Sequence, residues 1–344
     1  MAAENENIAV DPDLHLSQTN IADDYQSETT SLSSSIYRGL IENGRRYQTM
    51  RENEYWSPAD ELQFESLEAG HAVAIVLDCD RPNPLFRSPV GGSPKNILDI
   101  GTGNGLWAID CADMFPQTTV RGVDLFPPPV TWMPPNCILE VDDVLREWTW
   151  REPFDFIHLR IMLGSFTAEE WHSVYQKCYE NLKPGGWIEQ LELDAHLESD
   201  DNSIPAGSMA ETWGDTTFGC ANRSGRGIDT INTMRDSIER VGFINIHEKA
   251  YKWPIGVWPK DKQLKEAGLM NYHMWSAGLE GWGMWLLTKF GAPNPWPPEQ
   301  VQAYVGKIRS ELKNPNTHAY QRAKRVWARK PLDDELRRPK PEPL

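Results

Sequence analysis

The chain is poor in cysteine, in positive charge and in long apolar runs. Its five cysteines, at 79, 111, 137, 178 and 220, are odd in number and form no C-x-x-C pair. That argues against a disulfide framework or a zinc ribbon and predicts free thiols in a reducing compartment, with no metal required. Lys and Arg total 34 against 50 Asp and Glu, for a net charge of −16. Nucleic acid and anionic membranes both need a basic face, so neither is an expected partner. No apolar run approaches the roughly 20 residues of a membrane-spanning helix. The first 35 residues hold seven acids and no Lys or Arg, unlike a signal or transit peptide. A soluble, cytoplasmic protein is the expectation.

What is present is a change of pattern along the chain. Residues 1–35 are polar and acidic, bury too little apolar surface to offset their ordering entropy, and are predicted disordered. A helical cap is predicted over 36–94, with Leu62, Phe64, Leu67, His71, Ala74 and Leu77 as its stripe after a Ser57-Pro58 start. From Lys95, strands at 96–100, 119–125, 138–141, 154–159 and 187–193 alternate with helices at 105–115 and 171–182. The second helix stops at Lys183-Pro184-Gly185-Gly186. A helix at 228–241, a sixth strand at 243–253, a Trp-rich helical insertion at about 260–312 and a last strand at 320–330 follow. Such alternation predicts an α/β fold with a mostly parallel sheet over 95–331, trailed by a charged, Pro-rich tail at 332–344. The run RAKRVWARK reads as a solvated edge strand with Val326 and Ala328 turned inward, not as a nucleic-acid patch.

Between the first strand and its helix stands DIGTGNGLWAID, with glycines at 101, 103 and 105. Glycines there let a ligand approach backbone where a Cβ would collide. The dinucleotide fingerprint G-x-G-x-x-G needs glycine at 106, which is Leu106. Asp99 opens the motif and would repel a pyrophosphate, yet it suits a zwitterionic ligand. Asp124 ends the second strand 19 residues after Gly105, where a carboxylate accepts from ribose hydroxyls. After the third strand, Asp142 or Asp143 can accept from an adenine amino group; Asp143 is preferred because the Val144 amide follows it, and Asp142 stays open. A nucleoside with an amino-acid tail and no phosphate is S-adenosylmethionine, the expected cofactor.

These segments also carry a resemblance. DIGTGNGLWAIDCADMFP, VRGVDL, PPNCILEVDDV, FDFIHLR and LKPGGWIEQLE resemble, in order, the motifs of class I S-adenosylmethionine-dependent methyltransferases. With YRGLIENGRRY before them and PIGVWPKDKQLKEAGLMN and GLEGW after, the chain is similar to the fungal LaeA-like methyltransferase family over about residues 36–331. The resemblance implies a Rossmann-like class I methyltransferase fold, with a seven-stranded sheet whose last strand is antiparallel. It also implies a cap folded over the cofactor, which brings Tyr37, Arg38 and Arg45 towards it.

Methyl transfer is an in-line displacement, accelerated largely by alignment and exclusion of water. A base is needed only where the acceptor carries a proton. His158 at the end of the fourth strand is either that base, a donor to the cofactor, or a buried core histidine. Arg160 either pairs with a cofactor or acceptor carboxylate, or forms a structural ion pair with Asp99 or Glu189. His196 is a weaker candidate beyond the fifth strand. Tyr37, Tyr47 and Trp107 offer ring faces for a sulfonium, Trp107 more readily as packing under the sheet. Among the tryptophans at 253, 258, 275, 282, 285 and 296, most belong to the core and some line an apolar acceptor pocket.

Two functions fit these residues. One is methyl transfer to oxygen or nitrogen of a small-molecule or peptide intermediate of fungal secondary metabolism. The other is a LaeA-like regulator of metabolite gene clusters, acting in the nucleus through protein partners.

Overall fold

A computed structural model describes residues 34–336 of the chain. Of the tail predicted disordered over 1–35, residues 1–33 lie outside the described residues, as do the last eight residues of the C-terminal tail, whereas Ser34 and Ser35 open a short helix. In chain order the first elements are α1 (Ser34–Arg38), β1 (Leu40–Glu42), β2 (Arg45–Tyr47) and α2 (Glu61–Leu77). The first half of the sheet follows with β3 (Asn96–Ile100), α3 (Leu106–Met114), β4 (Thr119–Asp124) and β5 (Cys137–Val141). The second half begins with β6 (Phe154–Arg160), α4 (Ala168–Asn181), β7 (Leu182–Glu198), α5 (Met209–Ser224) and α6 (Thr230–Val241). It ends with β8 (Ile244–Pro254), α7 (Lys262–Phe290), α8 (Pro298–Leu312), β9 (Tyr320–Arg329) and α9 (Asp333–Leu336).

Strand β3 reads NILDI and is buried from its second residue on, as a central strand covered by helices on both faces must be. It pairs in parallel with β4 on one side and β6 on the other. The seven-stranded order is β5-β4-β3-β6-β7-β9-β8, and β9 runs antiparallel to both its neighbours. This is the Rossmann-like class I methyltransferase arrangement that the resemblance implied. Chain direction across the sheet reverses between β3 and β6, and at such a switch point the loops diverge and open a crevice beyond the strand ends. Helices α7 and α8 are the insertion between β8 and β9.

Several elements differ from the expectation. The cap contains a β1–β2 hairpin, and its helix α2 begins at the Asp60 cap, whose carboxylate accepts from the Gln63 amide. Small and polar residues (Gln63, Ser66, Gly70) share the buried face of α2, while Leu62 is exposed. The second half of the predicted stripe, His71, Ala74 and Leu77, is buried as expected, while in the first half packing against α7 selects small and polar residues: Ser66 Oγ donates to the Met274 carbonyl at 2.9 Å, and Gly70 lies against the Met274 sulfur. Helix α5, rich in Thr and Gly, has no clear periodic signal and was not expected. Strand β9 is interior, not an edge. Val326 and Ala328 are buried as expected, but so is Arg325, which meets Glu189 and Asp78.

Candidate functional site

A cavity runs along the carboxyl ends of the parallel strands, from β5 across the β3–β6 switch point to the amino end of antiparallel β9. Its floor on the β3 side is the glycine turn. Gly101, Gly103 and Gly105 take φ of +68°, +60° and +80°, the left-handed region that side chains avoid. A Cβ on Gly101 would strike Met162, and one on Gly103 would come within 2.9 Å of Leu67. The Gly103 amide donates to Asp124 Oδ2 at 2.8 Å and the Leu125 amide to its Oδ1 at 2.7 Å. Burial nonetheless raises the Asp124 pKa to about 6, those amide bonds opposing it. Asp142 and Asp143 stand beside it on the wall, each carboxylate oriented by an amide, from Asp143 and Leu145 respectively.

Arg160 ends β6 on the same wall. Its Nη1 donates to His71 Nδ1 at 2.9 Å, and His71 Nε2 donates in turn to Asp110 at 2.8 Å. That geometry fixes the neutral Nε2–H tautomer of His71, whose pKa burial and then Arg160 lower. No carboxylate of a described residue pairs with Arg160, and burial lowers its pKa to about 10 despite Asp99 and Asp110. The turn that follows is strained. Ile161, β-branched, has φ +54°. Buried Glu192 holds it by accepting the Met162 amide at 3.1 Å on both oxygens. Burial raises the Glu192 pKa to about 7 against bonds from Gln190 and Met162.

Beyond Arg160 the wall turns aromatic and uncharged. Trp56, Trp213, Trp275 and Trp282 line it with Met274 and Leu286. Trp275 meets Trp213 and Trp282 edge to face, with centroids 6.1 and 5.4 Å apart. Across the opening at the other end, Arg51 bonds Glu54 and Glu170, and Arg226 bonds the same two acids.

A family model described as a methyltransferase domain matches residues 79–248. Methyltransferase pytC of Aspergillus terreus is 36% identical over 298 residues, covering 86% of this chain and 89% of that one. The secondary metabolism regulator LAE1 of Cochliobolus heterostrophus is 35% identical, covering 85% and 94%. The protein-methionine methyltransferase laeA of Emericella nidulans is 30% identical, covering 85% and 76%. The chain belongs to the LaeA-like methyltransferase family.

Of the site residues anticipated for this LaeA-like methyltransferase, Gly101, Gly103, Asp124, Asp142, Asp143 and Arg160 share the cavity wall. Five others do not. Asp99 is buried beneath the loop, where Thr102 Oγ1 donates to it at 2.7 Å and His158 Nδ1 at 2.8 Å. His158 is fully buried and stacks on Trp107 with centroids 3.9 Å apart. Its Nε2 meets no partner, and burial lowers its pKa even against Asp99. His158 is thus a brace for the glycine turn, out of reach of a reacting group. Gly105 caps α3 and backs onto Leu139. Tyr37 is 57% exposed on α1 and off the wall. Arg45 is held by Asp60 through two bonds of 2.7 Å, which satisfies the α2 cap and removes the guanidinium from the cavity.

The remaining candidates sort the same way. Arg160 pairs with neither Asp99 nor Glu189, because His158 occupies the first and Arg325 the second. Trp107 packs under the sheet and donates to the Leu85 carbonyl. Tyr47 is core, and His196, held between Asp194 and Asp215, lies off the wall.

Sequence reasoning missed the segment between the hairpin and α2. It supplies Arg51, Tyr55 and Trp56 to the wall, with Trp56 Nε1 donating to the Leu163 carbonyl at 2.8 Å. Burial lifts the Tyr55 pKa to about 12, Asp124 adding to it, so the hydroxyl stays protonated. The aromatic pair Tyr55-Trp56 before Ser57-Pro58 was the available signal. Among the described residues, no cluster of three or more His, Cys, Asp or Glu is placed to hold a metal ion, and no helix is long and apolar enough to cross a membrane.

Proposed function

We propose that the chain binds S-adenosylmethionine in this cavity and transfers its methyl group to oxygen or nitrogen of a small-molecule intermediate of fungal secondary metabolism. Arg160 carries the reading: a half-buried cation on a cavity wall, bonded to a histidine and to no carboxylate of a described residue, is a site for one. The residues present fit the cofactor end to end. Asp124 takes the ribose hydroxyls, Asp142 or Asp143 the adenine amino group, Arg160 the carboxylate, and the bare backbone of Gly101 and Gly103 admits the methionine portion. Bound there, the cofactor supplies an electrophilic methyl on a sulfonium. The protein's part is alignment and exclusion of water, which the capped, aromatic-walled cavity provides. His158 contributes no base, so an acceptor proton leaves by another route or is absent before transfer.

Relatives named as regulators support a second reading, in which the same cofactor site serves a protein partner and the chain acts in the nucleus. The first reading puts it in the cytoplasm, and imaging a tagged copy separates the two compartments. The cofactor assignment is tested by calorimetry on wild type and Arg160→Met. Wild type is expected to bind S-adenosylmethionine, and Arg160→Met to bind it roughly 10- to 100-fold more weakly while staying folded. A folded wild type with no affinity, or a variant that binds equally well, overturns it.

A further inference from the structure

Every charged side chain on the cavity wall lies at the ends of β4, β5 and β6 or on the segment joining β2 to α2: Arg51, Glu54, Asp124, Asp142, Asp143 and Arg160. The β7–β9 end holds none. Two of its polar side chains, Thr217 and Gln321, are already engaged, while Gln63 on the facing helix α2 keeps an unpartnered Oε1. Thr217 Oγ1 donates to the Trp213 carbonyl at 2.8 Å. Gln321 donates to the Asp194 carbonyl at 2.7 Å and accepts from Trp275 Nε1 at 3.2 Å. Two donors remain. The indole N–H groups of Trp213 and Trp282 bond no described residue, although Trp213 is only 3% exposed. Both rings face glycines of α7: the six-membered edge of Trp282 lies on Gly278, where a Cβ would collide, and that of Trp213 lies near Gly283, where a Cβ would make ordinary contact at 3.5 Å.

A chamber of this kind discriminates by charge. An ionised guest would lose its hydration and meet no opposite charge there. A flat, neutral guest exchanges apolar surface with four indoles and can give its oxygen two N–H donors. We infer that the β7–β9 end is the acceptor subsite and takes a neutral, planar aromatic or conjugated molecule bearing a carbonyl, ether or hydroxyl oxygen. This rests on the cofactor reading for its role as acceptor site, but the binding preference can be measured separately.

The test is equilibrium dialysis of the full chain at neutral pH, with and without S-adenosylhomocysteine, against three probes of one shape. They are 2-naphthol (neutral), 2-naphthoate (anion) and 2-naphthylmethylamine (cation). The neutral probe is expected to bind at least tenfold more tightly than either ion. Trp213→Phe combined with Trp282→Phe keeps the ring faces, removes both donors, and is expected to weaken 2-naphthol at least threefold. Trp213→Phe and Trp282→Phe made singly replace the double variant if it does not fold, with a smaller loss expected from each. Equal or tighter binding of either ion, no binding of any probe up to its solubility, or unchanged naphthol affinity in the folded Phe variants overturns the inference. Failure of S-adenosylhomocysteine to bind wild type strikes the cofactor reading instead, and the probe ranking without it still decides this one.

Discussion

At the scale of single residues, Asp124 and His158 set each other off. Both sit at strand ends beside the glycine turn, yet only Asp124 reaches the cavity. Its pKa, raised by burial to about 6 from 3.8, has a definite consequence. A raised carboxyl favours the protonated fold, so this contribution is full below 3.8 and lost as pH rises through 6. A ligand that donates hydroxyls to the ionised form acts in the opposite sense. The rise in melting temperature given by S-adenosylhomocysteine should therefore grow between pH 5 and pH 7.5, and a rise independent of pH would remove Asp124 from the ribose site. His158→Ala deletes a stacked, buried ring and strips Asp99 of a donor. A loss of about 2–4 kcal/mol of stability is expected, measured by denaturant unfolding, with cofactor affinity falling little in the folded fraction.

At the scale of elements, α2 and α7 form the layer that roofs the cavity, and small residues bring them together. Adding a Cβ at Gly278 would drive into Trp282 and come within 2.5 Å of Ser66 Oγ. Helix propensity favours Gly278→Ala by about 1 kcal/mol. Overpacking costs about 1–3 kcal/mol, and here both collision partners are pinned, so net destabilisation is expected. Thermal melts that show a gain would mean the two helices separate easily.

The same elements show how much was legible beforehand. Short runs rich in β-branched and aromatic residues, bounded by turn residues, made β3, β4 and β6 readable to within a residue or so. The glycine spacing and the two strand-end acids placed the floor of the site. What the sequence could not show was which side of a strand end faces the cavity. Asp99 and His158 face each other across adjacent strands and satisfy each other, a pairing that depends on register. Arg45 was lost to Asp60 through a hairpin too short to leave a periodic signal. The apolar wall was expected among the tryptophans of the insertion, yet Trp56 and Trp213 come from segments with no clear pattern.

At the scale of the whole molecule, a buried ion cluster fastens the cap to the far half of the sheet. Asp78 follows α2 at 1% exposure and meets Arg87, Arg325 and Lys249. Glu189 accepts the Arg87 and Ser88 amides and pairs with Arg325. Arg325→Met leaves two buried carboxylates short of a cation and should cost about 3–5 kcal/mol. Burial pushes the Asp78 pKa up, but Arg325 and Arg87 hold it below 3.8. That stabilisation is present above 3.8 and fades as pH falls below it. Acid unfolding of Arg325→Met should thus begin at higher pH than in wild type, and coincident acid transitions would separate the cluster from global stability.

The insertion of α7 and α8 between β8 and β9 has a further consequence, for descent rather than for chemistry. The floor is encoded between residues 99 and 143, whereas Trp275, Trp282 and Leu286 belong to one segment that begins and ends at adjacent strands. The aromatic wall draws also on Trp56 and Trp213 from outside that segment, yet none of its residues lies between 99 and 143, so changes there can reshape the wall without touching the glycine turn. A fold divided in this way can keep its donor through many changes of clientele.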